Sequence, residues 1–457
     1  MRLNTGDGEL TRSPSRFLRW QFTILGAMYI GYAAFMLCRN TLIASSAELI
    51  NDPALDLDKE SFGHLMSWHS AGAILGKLVT GPGADILGGR RMFLLALSIT
   101  ALANVGFAFG SSFFTFALFN FLGQFAKAGG WPAMTKIVGQ WYPERRYGQV
   151  WSIISTSSRV GTIAAGLLLG YLLSFVGWRS VFLVSSAVTS VVVVLLFFFL
   201  RETPRQVGLH PLGGHDDGDE CEEKQSDETS SQQKVFEPHP FELMTWFQAL
   251  TQFVRSGRFW FIGFSIVFLT IMMDFLTFIP IYLSESLNIS SSQASMAGSS
   301  FPAGMFVALL LTSFVYDRLS KLQLMGTLGG LLILSCMCVL TLWNLDLIPI
   351  AVRSPAAIGT IFLLGLAISP AYYVPMSVFA VKFGGKHSGF LVALIDVFGY
   401  GGAILFNFYG GSIAEHYGWS VFLSGLLTIA VLATTCMVTF LTLDWRSERR
   451  RLIGTSG

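Results

Sequence analysis

Charge is scarce along this chain. Only 13% of its 457 residues are Asp, Glu, Lys or Arg, against about 25% in a soluble globular protein. That shortage excludes an ordinary water-soluble domain. Cysteine is scarce as well. Cys38, Cys221, Cys336, Cys338 and Cys436 show neither metal-ligand nor disulfide spacing, so packing is the role expected of them. No phosphate-cradling glycine loop, metal cluster or nucleophile triad is found, and the loops are too short for a catalytic domain. No enzyme, cofactor or metal is expected. Nucleic-acid binding is not expected either, because the basic residues recur in alternate loops rather than gathering in one patch.

Apolar residues fill the space that charge vacates, at 52% of the chain. Runs of about 18 residues or more, each enough to cross ~30 Å of hydrocarbon, recur along almost the whole length. About twelve are expected, near 20–46, 62–82, 91–110, 112–141, 148–174, 178–200, 257–285, 293–316, 323–344, 356–381, 387–414 and 418–443. The expected class is an all-α membrane protein of two pseudo-symmetric six-helix bundles. Its parts are an N-terminal tail (1–19), a first bundle (20–200), a linker (201–256), a second bundle (257–443) and a C-terminal tail (444–457). The middle of the linker is acidic, polar and aromatic-free, a composition that cannot build a core. Arg90 and Arg91, Arg145 and Arg146, Arg201, Arg318 and the Arg446–Arg451 tail lie on one side of that topology. The positive-inside rule then puts both termini in the cytoplasm, and a cell (inner) membrane location is expected.

The halves repeat one another. Gly148, Gly161, Gly170, Gly177 and Trp178 recur 241 residues later as Gly389, Gly402, Gly411, Gly418 and Trp419 (389 − 148 = 241). Close helix packing explains any one such glycine, but not the shared offset. Duplicated bundles joined by a linker are an architecture of alternating-access carriers.

Between the second and third runs stands Gly81-Pro-Gly-Ala-Asp85-Ile-Leu-Gly88-Gly-Arg90-Arg91. It resembles the G-x-x-x-D-x-x-G-x-R-R/K signature of the major facilitator superfamily. Asp85 can cap a helix terminus or pair with a cytoplasmic arginine such as Arg145, and so hold a gate together with Arg90 and Arg91. Further segments resemble the organophosphate:phosphate antiporters, a family that carries glycerol and sugar phosphates. They include Tyr32 with Cys38-Arg39-Asn40, Gly76-Lys77, Gly130-Trp131-Pro132, Gln140-Trp141 and Arg201-Glu-Thr-Pro204. The resemblance implies two bundles rocking about a central site, with an arginine of helix one and a lysine of helix two gripping phosphate. Arg39 and Lys77 match those positions. The family's second arginine, on helix seven, is replaced by Met272, and its helix-five histidine by Ser158 with Arg159 beside it. The two-arginine clamp of that family is therefore absent.

The buried charges carry the rest. An arginine at mid-helix costs about 2.5–3.5 kcal/mol on insertion scales, so such residues mark function by default. Arg39, Lys77, Lys127 and Arg159 supply cations in the first half; Asp274 and Asp396 supply acids in the second. Tyr32 lies nearly two turns from Arg39 and shares its face. Tyr372-Tyr373, between Pro370 and Pro375, is expected at an irregular point of helix ten. Each has a plainer reading: snorkelling for Lys127 and Lys136, a kink cap for Asp396, an ion pair with Arg39 for Asp274, a core histidine for His69. Trp68, Trp131 and Tyr400 are further candidates to line a cavity.

The function expected is secondary transport of a small organic anion, phosphorylated in the leading reading, by exchange or proton coupling. One alternative is a carrier of a zwitterion, amine or carboxylate using Asp274 and Asp396. Another is a transporter-like membrane sensor. The expected partners are the anion, the bilayer and a counter-substrate or proton, with the protein acting as a monomer.

Overall fold

The computed structural model describes residues 14–209, 246–384 and 388–454. Cys221 and the acidic linker core lie outside them. The described chain builds twelve spans. In the first bundle these are α1 (Pro14–Ala44), α2 (Lys59–Leu87), α3 (Gly89–Ala108), α4 (Phe113–Lys127, resumed as Gly130–Trp141), α5 (Tyr147–Leu172) and α6 (Trp178–Phe199). In the second they are α7 (Gly257–Asp274, resumed as Ile279–Leu287), α8 (Ser291–Gly298, resumed as Ser300–Val315), α9 (Lys321–Trp343), α10 (Ile350–Gly384), α11 (Ser388–His416) and α12 (Gly418–Gly454).

Ten of these are long and apolar enough to cross a membrane. The other two are α2 and α4, and the reason is informative. Helix α2 carries His64, His69, Lys77 and Asp85, and α4 breaks at Ala128–Gly129 just after Lys127. Polar groups interrupt the apolar run of α2, and the break leaves α4 in pieces of 15 and 12 residues.

Local chemistry sets the ends. Asp58 accepts from the Ser61 amide to cap α2. Ser112 with Thr115, Ser290 with Gln293 and Ser320 with Gln323 form reciprocal capping boxes on α4, α8 and α9, each satisfying amides that a helix start leaves bare. Gly88, at φ +82°, turns α2 sharply into α3, a backbone region glycine occupies without strain. The irregular point expected in α10 is not found. The helix runs unbroken through Pro355, Pro370 and Pro375. Neighbouring helices enclose it, and prolines are tolerated in such spans because surrounding groups satisfy the backbone they free.

The bundles are built alike. Helix α1 packs on α5 and α6, α4 on α2 and α3, and α3 on α6. Correspondingly α7 packs on α11 and α12, α10 on α8 and α9, and α9 on α12. The 241-residue repeat now has a physical basis. Gly161 lets α5 approach Ala33 and Met36 of α1, and its counterpart Gly402 lets α11 approach Val267 and Ile271 of α7. Gly170 and Gly411, the next repeated pair, serve the contacts between bundles, which are α5 against α8 and α2 against α11.

The bundles are sealed on the side where α2 begins. Lys59 pairs with Glu285 of α7 at 3.1 Å and Glu415 of α11 at 3.7 Å. The Trp419 indole donates to Glu285 at 2.7 Å, and Lys59 lies over its ring. Ser292 donates to the Gly170 carbonyl at 2.7 Å, and Ser67 to Ile404 at 2.9 Å. These contacts between the bundles lie on this side or at mid-depth. Closer to the Asp85 side, Lys77 joins Asp396 across the bundles.

Candidate functional site: a charged cavity between the bundles

Below the seal is a cavity of about 190 Å³. The α1 register turns Arg39 into it. From the same bundle come His69 of α2, Lys127 at the break in α4, and Arg159 of α5; from the other come Asp274 of α7 and Tyr373 of α10. Tyr372, Asp396 and Tyr400 complete the far wall. Five of the expected charged residues thus converge on one space, although they lie up to 357 residues apart in the sequence (396 − 39 = 357).

Arg39 is held by a relay. The Asn120 side-chain amide donates to the Leu65 carbonyl at 2.8 Å, which leaves its oxygen to accept from His69 Nδ1 at 2.9 Å. A proton on Nδ1 makes Nε2 the acceptor of the neutral ring, and Arg39 Nε donates to it at 3.5 Å. The guanidinium's two terminal nitrogens remain for a ligand. His69 is buried, as the core reading required, but it also orients Arg39. In the sequence it is a histidine on an apolar span, a signal too weak to separate the two roles.

Lys77 is placed differently from the expectation of a free neighbour to Arg39. It crosses to the second bundle, pairs with Asp396 at 2.8 Å and sits 4.4 Å from the Tyr400 ring centroid. Asp396 is therefore an ion-pair partner rather than a kink cap. Asp274 makes no ion pair with Arg39 within 4.0 Å; Asn407 of α11 donates to it instead. Arg159 lies over the Tyr373 ring at 5.1 Å, and its Nε is buried without a hydrogen-bond partner. Lys127 faces the cavity within electrostatic reach of Arg39 and Lys77 rather than snorkelling to an interface. Tyr32 stands outside the cavity wall, edge-on to Trp131 at 5.6 Å and to Phe35 at 6.2 Å. Trp68 and Trp131 do not line the cavity. Trp68 packs edge-on to Phe121, and half its surface is exposed.

The gate residues form no lock between bundles here. Asp85 pairs at 2.7 Å with Lys136 of α4, its own bundle, and not with an arginine. Arg90 donates to the Phe197 carbonyl and lies over that ring. Arg91 and Arg145 are exposed. The cause is geometric: the bundles meet at the other end, so the Asp85 end finds its partners locally. Glu202 accepts from the Gly89 amide at 2.9 Å, a favourable place for an acid at a helix start.

Comparison with known proteins speaks to the family and the fold. The family model of the Major Facilitator Superfamily matches residues 28–285 and 261–455. A probable hexose phosphate transport protein of Chlamydia trachomatis is 25% identical over 98% of this chain and 95% of its own. The membrane sensor protein UhpC of Escherichia coli is 23% identical over 93% of each. Among solved structures, a mutant of the nucleoside transporter NupG superposes with a TM-score of 0.69 over 92% of this chain and 99% of its own, at 14% identity; that likeness speaks for the fold alone. The chain belongs to the Major Facilitator Superfamily, and the hexose phosphate transport protein that it matches end to end is of the organophosphate kind that its Arg39, Lys77 and Trp131 motifs resemble.

Proposed function

We propose that this protein is a secondary carrier of a small phosphorylated organic anion. The observation that carries the reading is a charge imbalance. Arg39, Lys127, Arg159 and Lys77 face Asp274 and Asp396 in and beside one cavity, leaving two positive charges over. A phosphate monoester, at about −1.5 to −2 near neutral pH, matches that excess. The cavity, at about 190 Å³, is smaller than the ~300–1,000 Å³ common for drug-sized ligands, which favours a cargo the size of glycerol phosphate or a sugar phosphate. A carrier of amines alone is disfavoured by the same excess.

By the positive-inside rule the Asp85 side is cytoplasmic, so the sealed Lys59 side faces outward and the cavity is in an inward-facing arrangement. Arg39, Lys127 and Arg159 bind the phosphate. Asp274, Tyr373 and Asp396 meet the rest of the cargo, and Lys77 guards the inner mouth. Exchange against a second anion balances charge without a proton.

A thermal-shift screen of glycerol 3-phosphate, glucose 6-phosphate, 3-phosphoglycerate, carboxylates and amines on the detergent-solubilised protein tests this. A ligand at a hundred times its Kd stabilises the folded state by about 2.7 kcal/mol. Phosphate esters should raise the Tm and amines should not; the reverse pattern overturns the proposal. Flux in proteoliposomes separates a carrier from a sensor, since a sensor binds the ester without moving it.

The relay behind Arg39 adds a prediction. His69→Leu removes the acceptor for Arg39, and hydrogen bonds to charged groups are worth about 1.5–3 kcal/mol, so ester affinity should fall by about tenfold or more. His69→Gln offers an amide oxygen near the lost Nε2 and should restore most of it. Equal losses in both variants would mean that the ring serves packing alone.

A further inference from the structure

The cavity is divided by charge along the line between the bundles. All its cations belong to the first bundle, on α1, α4 and α5, with Lys77 of α2 beside them. The second bundle contributes acids and hydroxyls: Asp274, Asp396, Thr270, Tyr372, Tyr373 and Tyr400. The position on α7 where an opposing arginine would stand is Met272, buried in the second bundle's core with 1% of its surface exposed. No cation of the second bundle lines the cavity among the described residues.

This has an energetic consequence. A ligand shifts a conformational equilibrium only by its difference in affinity for the two states. The bundles move largely as rigid bodies during alternating access, so a group held by one bundle alone keeps its contacts in both arrangements. A phosphate bound by Arg39, Lys127 and Arg159 finds all its cations on the first bundle, while the Asp274 and Asp396 carboxylates of the second repel it. It binds, yet it gives the bundles no reason to close. Only a cargo that also reaches the second bundle favours closure over opening. The far wall specifies the chemistry of that second contact: donors such as sugar hydroxyls or an amine, facing the Asp274 carboxylate and the tyrosines across the cavity.

We propose that inorganic phosphate is a ligand of this carrier but not a cargo, and that translocation requires a phosphate ester whose hydroxyl- or amine-bearing end engages Asp274. The inference rests on the proposed function. Lys77–Asp396 fits it, because this pair already bridges the bundles at the inner mouth and an anion that displaced Asp396 from Lys77 without replacing the bridge would weaken closure further.

The test uses the full-length protein. Thermal shift with inorganic phosphate, glycerol 3-phosphate and glucose 6-phosphate measures binding. Counterflow of the same labelled compounds in proteoliposomes measures translocation. Inorganic phosphate should raise the Tm and compete with the better ester, while its own counterflow runs at least about tenfold slower, the factor that a coupling of some 1–3 kcal/mol produces. Asp274→Asn should bring ester counterflow down toward the phosphate rate while phosphate binding persists. If phosphate exchanges as fast as the ester, the inference is overturned and the carrier reading stands. If neither phosphate nor either ester binds, the carrier reading itself falls. Should Asp274→Asn fail to fold, Thr270→Val reads the same wall, and its ester counterflow should drop while phosphate binding stays.

Discussion

Arg39→Gln should weaken ester binding severely without destabilising the empty protein. Removing one partner of a buried charged contact costs about 2–5 kcal/mol in affinity, so the apparent Kd should rise by at least about thirtyfold at 1.4 kcal/mol per decade. The second half of the expectation distinguishes a binding residue from a structural one. Arg39 stands in a cluster with Lys127 and Arg159, each within electrostatic reach of it, and its described polar contact is the long one to His69. Like charges in a medium of low permittivity repel strongly. Replacing Arg39 by a neutral amide relieves the repulsion from two cations at the cost of its attraction to Asp274, so the ligand-free Tm should equal or slightly exceed that of the native protein. This is the trade of stability for function seen where sites are strained. Arg39→Lys should fall between the two in affinity, because a lysine keeps the charge but loses the planar fork that grips phosphate through two parallel bonds. Isothermal titration and thermal unfolding on the same samples check both halves. An unchanged Kd would remove Arg39 from the site. A ligand-free Tm well below native would make it a structural residue.

The sequence exposed the fold through features that act over one helix or one repeat. Apolar run length marked the spans, and the glycines at offset 241 marked the two-fold relation before any contact was known. The Asp85 motif and the Arg39 and Lys77 spacings pointed to the family and to the cavity's first wall. Less legible was whatever depends on how the bundles meet. Lys77 and Asp396 lie 319 residues apart, and nothing in either helix announces the other. Asp274 was read against Arg39 because opposite charges attract, but the packing of α7 on α11 places Asn407 beside it. Asp85 was read as pairing with a cytoplasmic arginine to hold a gate, whereas the packing of α2 on α4 gives it Lys136. Tyr372-Tyr373 was assigned to a break because proline interrupts an isolated helix, whereas in α10 the enclosing helices keep the backbone regular. Pairing across a moving interface is a property of the state as well as of the chain.

That dependence on state makes the glycine contacts the sharper test of mechanism. On the sealed side Gly63 of α2 and Gly411 of α11 pass with a Cβ built on either lying 3.0 Å from the other's Cα. A Cβ on Gly411 would also collide with the Lys59 carbonyl, and one on Gly63 with the Asn407 carbonyl, both backbone atoms that cannot turn aside. At the symmetric contact, a Cβ on Gly170 would meet Met296 Cγ at 2.9 Å. These clashes belong to the arrangement sealed at Lys59, the side that the proposed topology turns outward, so a side chain there acts as a wedge against that arrangement. Overpacking costs about 1–3 kcal/mol, which moves a two-state equilibrium by about 5–150-fold. Gly411→Val should therefore hold the carrier open to the outside and slow counterflow by about tenfold or more, with ester binding kept because the cavity residues are untouched. In a cysteine-free background, Thr277→Cys on the cavity wall should resist a membrane-impermeant thiol reagent added from outside, and should react once Gly411→Val is added. Gly425→Val is the control, since a Cβ there meets nothing within 4 Å, and it should leave both readouts at native values. If Gly411→Val transports normally and Thr277→Cys stays shielded, the sealed contact between α2 and α11 is not part of the transport cycle.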